Sequence, residues 1–159
     1  MKQLLELLEH DAKRPIPELA IMLGKPEQEV AAEIKALEED KIIIKYHTII
    51  NWEKTGVDTV TAMIEVKITP QREVGFDAIA ERIYRFPEVR SLYLMSGAYD
   101  LLVMLEGPNL KEIAEFVSTK LSTIDGVIST TTHFMLKAYK EAGVIIEDQE
   151  EDRRLVVTP

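Results

Sequence analysis

Apolar and polar positions alternate with two different periods along this chain, and the change of period divides it. Up to about residue 40 the apolar residues recur at helical spacing. Leu4, Leu5, Leu7 and Leu8 form a stripe on a first helix that ends near Asp11. "KRPIP" interrupts it, because two prolines cannot continue a helix. "ELAIML" is a short second helix, closed by Gly24. A third opens at Pro26, where the missing N–H is not needed, and puts Val30, Ile34 and Leu37 on one face. From Ile42, "KIIIKYHTIIN" is rich in β-branched residues and reads as a strand. Three short helices followed by a strand is the pattern of a winged helix-turn-helix.

"NWEKTG", residues 51–56, is a turn and a boundary. Beyond it the pattern repeats twice. "VTAMIEVKI" is a strand, and "FDAIAERIYRF" is a helix with Phe76, Ile79, Ala80 and Ile83 inward. "EVRSLYLMS" and "YDLLVMLEG" are strands joined at "GA". "NLKEIAEFVSTKLST" is a helix with Leu110, Ile113, Phe116, Val117 and Leu121 inward, and "GVISTTTHFMLKAY" is a last strand. The order β-α-β-β-α-β predicts a ferredoxin-like antiparallel sheet with two helices on one face. The expected fold class is therefore α+β. The expected division is 1–51 for the helical domain with its connecting strand, 52–146 for the sheet domain, and 147–159 for a charged tail. The tail either stays solvated or docks Leu155, Val156 and Val157 as a short edge strand. The uncovered sheet face, apolar on alternating residues, predicts a partner subunit.

Charge complicates the helix-turn-helix. The chain carries a net −9, and residues 1–55 hold 8 basic and 11 acidic groups. Residues 25–42 alone hold six carboxylates against three lysines. A solitary DNA binder is normally basic, because neutralised phosphates supply most of its affinity. Several weak sites presented together can still bind. On the third helix Gln28, Ala32 and Lys35 stand opposite the apolar stripe. Glutamine pairs with adenine and alanine meets a thymine methyl. Phosphate contacts would fall to Lys2, Lys13, Arg14, Lys25, Lys35, Lys41 and Lys45. Glu29 and Glu33 read as surface partners of Lys35 and its neighbours, at the spacing of helical ion pairs.

Chemistry elsewhere is sparse. There is no cysteine, and His10, His47 and His133 lack metal-ligand spacing, so no metal or cofactor is expected. No export signal or membrane span is legible, which makes the cytoplasm the expected compartment. "SGAYD" is the second informative stretch. Asp100 could hold an ammonium, while Ser96, the N–H groups of Gly97 and Ala98, Tyr99 and the hydroxyls of Thr130, Thr131 and Thr132 could meet a carboxylate. The bland alternative is a hairpin turn beside threonines that merely favour strand.

"PELAIMLGKPEQEVAAEIKALEEDKII", "YHTIINWEKTG", "SGAYDLLVMLEG" and "IDGVISTTTHFML", in this order, resemble the Lrp/AsnC family of transcription regulators over nearly the whole chain. The resemblance implies binding of double-stranded DNA, dimers that assemble further into octamers, and an effector, usually an amino acid, held at subunit contacts near the glycine-aspartate turn and the last strand. One departure stands out. The family commonly opens the third helix with serine or threonine and carries arginine in "V-x-x-R-I-x-x-L-E". Here Lys25-Pro26 opens it and Glu33 takes the arginine position. Two other readings stay open. One is an amino-acid-sensing assembly protein without DNA binding. The other is an enzyme resembling sirohaem decarboxylases, for which Arg82, Arg85, Arg90 and the domain's one histidine would be the basic groups.

Overall fold

The computed structural model describes residues 1–69 and 75–146. It divides into two compact units, residues 1–50 and the chain from Asn51 onward. The expected docking of Leu155, Val156 and Val157 lies outside the described residues.

The first unit is three helices: α1 (Lys2–His10), α2 (Ile16–Leu23) and α3 (Glu27–Glu39). Its core is Leu4, Leu8, Leu19, Ala20, Val30 and Leu37, with Leu5, Leu7, Leu23, Ile34 and Ile43 packed around them. Pro15 and Pro26 stand at the N-caps of α2 and α3, where no intrahelical N–H is required. Between these helices Gly24 is left-handed, with φ 62°. The N–H of Lys25 closes on the carbonyl of Ala20 at 3.0 Å, which ends α2 and turns the chain into α3.

The strand expected after α3 does not form. Residues 42–50 have no ladder partner among the described residues. β-branched residues favour extended backbone, but a strand exists only when another strand satisfies its N–H and C=O groups. Ile42, Ile44, Tyr46 and Ile50 are left exposed. Tyr46 is tied back instead, its hydroxyl donating to Glu38 at 2.8 Å.

The second unit carries β1 (Val60–Ile68), α4 (Asp77–Tyr84), β2 (Val89–Leu94), β3 (Leu101–Gly107), α5 (Leu110–Phe116) and β4 (Val127–Phe134). The sheet order is β2-β3-β1-β4, and every pairing is antiparallel. This is the β-α-β-β-α-β arrangement expected from the pattern. β1 is central and alternates cleanly: Ala62, Ile64, Val66 and Ile68 are buried beneath Ile79 and Ile83 of α4 and Ile113 and Phe116 of α5. A π-helical turn, Val117–Leu121, follows α5. Val117 and Leu121 are buried as expected, whereas Leu110, expected inward, is exposed at the helix start.

The opposite face of the sheet is less apolar than expected. Cross-strand partners share a face, so β1 presents Thr61, Met63, Glu65 and Lys67 there. Leu102, Met104 and Tyr93 join Met63 in a central apolar patch, flanked by the Glu65–His133 contact at 3.2 Å and the Arg90–Glu106 ion pair at 2.8 Å. The last predicted strand also ends early. β4 stops at Phe134, and a separate hairpin follows, β5 (Lys140–Glu141) with β6 (Val144–Ile145). Its turn residues Ala142 and Gly143 both have positive φ, at 43° and 85°. Asn51 Nδ2 donates to the carbonyl of Ile146 at 3.1 Å, fastening the end of the hairpin to the start of the unit.

Gly126, at the entry to β4, has φ 96°, and a Cβ there would lie 2.6 Å from Cδ1 of the buried Ile79. Gly126→Ala should therefore destabilise the sheet unit by roughly 2 kcal/mol or more. Chemical unfolding of the two proteins side by side checks this, and an unchanged midpoint would contradict it.

Candidate nucleic-acid interface and effector site

The turn between α2 and α3 brings Lys25 back over the first turns of α3. Its ammonium lies 2.7 Å from Glu29 and 2.9 Å from Glu33. The amino group of Met1, at the start of α1, contacts the other Glu33 oxygen at 2.7 Å. Two cations and two carboxylates thus close on one another. The hydrogen bond from the Met1 amino group, and then that from Lys25, hold the Glu33 carboxyl below the usual range. Bonds to Glu29 and then Glu33 raise the Lys25 ammonium above its ordinary value. Glu33 keeps only 20% of its side-chain surface exposed.

This corrects the sequence-based pairing. Glu29 and Glu33 pair backward to Lys25, while Lys35 pairs forward with Glu39 at 3.7 Å. It also changes the roles of two candidate DNA contacts. Lys25 is engaged inside the unit, and Glu33 faces α1. The i, i+4 relation of Lys25 and Glu29 was legible; the return of Lys25 to Glu33 across two helical turns was not.

Gln28, Ala32 and Lys35 do share an exposed face of α3. The other basic candidates divide. Lys2 pairs with Glu6 at 3.5 Å. Arg14 is half-buried and contacts Asp11 at 3.9 Å. Lys13, Lys41 and Lys45 are exposed and have no ion pair among the described residues. The free positive charge of the unit therefore lies mostly outside α3.

In the second unit, residues 96–99 form the β2–β3 loop. It is closed by Met95, whose N–H donates to the Asp100 carbonyl at 2.8 Å. Ser96, Gly97 and Ala98 are exposed, and Tyr99 and Asp100 are half-buried. Asp100 is committed to the sheet. Its N–H donates to the Val66 carbonyl at 3.0 Å, and its Oδ2 accepts from the Ile68 N–H at 2.8 Å. That bond falls where the β1–β4 register shifts, so the carboxylate serves as the acceptor at an irregularity of the ladder.

The three threonines do not converge. Thr130 and Thr132 pair with Val66 and Ile64, so they face the helices, and Thr130 lies 3.4 Å from the Ser122 hydroxyl. Thr131 pairs with Glu65 and faces the open side. Within one chain, the loop and the threonines do not make a single pocket of donors.

The comparisons with known proteins agree with this architecture. Residues 61–145 match the Lrp/AsnC ligand binding domain. The HTH-type transcriptional regulator YugG of Bacillus subtilis strain 168 is 51% identical over 158 residues, covering 99% of this chain and 95% of that protein. In fold, the chain resembles the Neisseria meningitidis transcriptional regulator NMB0573 in complex with L-Met. The TM-score is 0.70 at 22% identity, over 87% of this chain and 88% of that one. It also resembles the Mycobacterium tuberculosis feast or famine regulatory protein Rv3291c complexed with L-methionine, with TM-score 0.71 at 20% identity over 91% and 95%. The chain belongs to the Lrp/AsnC family, a family of transcription regulators rather than enzymes. No helix among the described residues is long and apolar enough to cross a membrane.

Two outcomes follow from the geometry. Glu33→Gln should cost about 1 kcal/mol at neutral pH. A carboxyl whose folded pKa is lowered stabilises above its unfolded value and stops doing so as pH falls through the folded one. The gap between wild type and variant should therefore close in acid, from about pH 5 downward, which urea melts at a series of pH values would follow. Separately, Asp100→Ala removes the acceptor of a buried N–H and should cost about 1–3 kcal/mol. Asp100→Asn keeps an acceptor oxygen and should cost much less, as paired thermal melts would reveal.

Proposed function

We propose that this protein is a cytoplasmic transcription regulator that binds double-stranded DNA as an oligomer and responds to an amino acid. The observation that carries the reading is the joining, in one chain, of a helix-turn-helix unit to the Lrp/AsnC ligand binding domain. α3 offers Gln28, Ala32 and Lys35 to base edges, and Lys13, Lys41 and Lys45 supply phosphate contacts. One such unit holds too little free positive charge for strong binding, so assembly supplies the affinity by presenting several units together. A second copy packs on the open sheet face around Met63, Leu102, Met104 and Tyr93, and dimers assemble further, to octamers. In that assembly residues 42–50 would complete the wing that a single chain leaves unpaired.

L-methionine in two related complexes supports an amino acid as the effector class. The site we assign is the loop Ser96, Gly97, Ala98, Tyr99 and Asp100 with Thr130, Thr131 and Thr132. These groups stand apart in one chain, so the site is completed at a contact between subunits.

A gel-shift series tests the reading. The full chain should shift duplex DNA from upstream of its own coding sequence, and an amino acid from a mixed pool should change the shift. Residues 1–55 alone should bind far more weakly. Light scattering should give a dimer or larger. A monomer at micromolar concentration, or a fragment that binds as tightly as the full chain, would overturn the role given to assembly. Absence of any shift would favour an amino-acid-sensing assembly protein instead.

A further inference from the structure

The open face of the sheet carries a histidine–carboxylate pair at the border of its apolar patch. His133 of β4 is the cross-strand partner of Met63, and Glu65 of β1 is the cross-strand partner of Leu102. His133 Nε2 lies 3.2 Å from Glu65 Oε1, and both side chains are partly exposed in the single chain. The other charged groups of the face are placed differently. Glu106 of β3 is held by Arg90 of β2 at 2.8 Å. Lys67 of β1 is exposed, and its flexible stem lets the ammonium stay in water when the face is covered. Tyr93 of β2 and Thr131 of β4 bring only hydroxyls, uncharged at neutral pH.

A stable interface covers about 800 Å² and roughly 20–30 residues on each partner. The four residues of the apolar patch are too few for that. A second copy seated on Met63, Leu102, Met104 and Tyr93 therefore also covers their direct neighbours, Glu65 and His133. Covering makes the protonation of the pair matter. A neutral imidazole leaves the Glu65 carboxylate to be desolvated without a counter-charge, whereas an imidazolium forms a balanced, hydrogen-bonded ion pair with it. Imidazoles change charge between about pH 5 and 8. We propose that the Glu65–His133 pair makes self-association through this face proton-linked, His133 taking up a proton as a second copy of this chain covers it. The state that binds more protons gains as pH falls. Assembly therefore strengthens from about pH 8 toward 6, and the gain is lost once acid protonates Glu65 itself. The inference rests on the assembly proposed above and adds the proton that regulates it.

Sedimentation of the fluorescently labelled full chain, diluted through the nanomolar range at about pH 8, 7 and 6, tests it on wild type, His133→Gln and Glu65→Gln. Thermal melts establish that the variants fold, as expected for partly exposed side chains. The wild-type dissociation constant should tighten on the order of 10-fold or more across this range, because a symmetric dimer covers two such pairs. In His133→Gln it should not respond to pH. In Glu65→Gln the sign should reverse, because a lone imidazolium would then be covered without its carboxylate. Where wild type stays assembled at every dilution, the ring proton resonance of His133, identified by its loss in His133→Gln, decides. A titration midpoint above the ordinary imidazole value of about 6.5 supports the linkage, and one at or below it overturns the inference. A wild-type constant that is flat with pH, or a response that His133→Gln retains, also overturns it. Monomers at micromolar concentration at every pH would remove the second copy itself, and the proposed assembly would fail before the inference does.

Discussion

Lys25 settles the charge of α3. A single ammonium at the turn between α2 and α3 draws Glu29 and Glu33 to within 3 Å, and Glu33 in turn reaches the start of α1. Without those contacts the first half of α3 would present three carboxylates to any approaching anion. With them, two are satisfied inside the unit, and the face opposite the buried stripe presents Gln28, Ala32 and Lys35. The family's arginine position is thus occupied by a residue of opposite charge with a partner of its own. The pairing ties α1 to α3 instead of supplying a phosphate contact.

The second unit depends on a comparable substitution of a side chain for backbone. β1 lies at the centre of the sheet and pairs on both sides. Where its register with β4 shifts, Asp100 reaches from the start of β3 and accepts the Ile68 N–H. The residue that the sequence offers as an ammonium partner is therefore also a structural one. On the proposed function, an effector at this loop would meet a carboxylate with one oxygen already engaged and would find its remaining partners on another subunit.

Periodicity made the elements legible. The helices of both units, the order of elements in the second unit and the buried face of β1 follow from apolar spacing of 3.6 and 2. What the pattern missed has particular causes. "KIIIKYHTII" has strand composition, but composition cannot provide the partner that a ladder needs. The hairpin at 140–145 turns on Ala142-Gly143, and alanine at positive φ is not the asparagine or aspartate that signals such a turn. Leu110 satisfied helical spacing but stands at the helix start, clear of the sheet. The candidate site was read less completely than the fold. Strand alternation alone separates Thr131 from Thr130 and Thr132, whereas the Lys25–Glu33 contact spans eight residues and a change of direction between helices.

On the proposed function, an acidic helix-turn-helix binds DNA through a few free lysines multiplied by assembly. The salt dependence of binding measures this directly, because log K falls with log salt at about −0.9 per phosphate neutralised. One unit offers Lys13, Lys41 and Lys45, unpaired among the described residues, so a single unit cannot exceed a slope of roughly −2.7. Titrating the full chain onto a specific duplex across a range of potassium chloride concentrations should give a steeper slope, reflecting two or more units acting together. A slope near zero, or one within the reach of a single unit, would contradict the account.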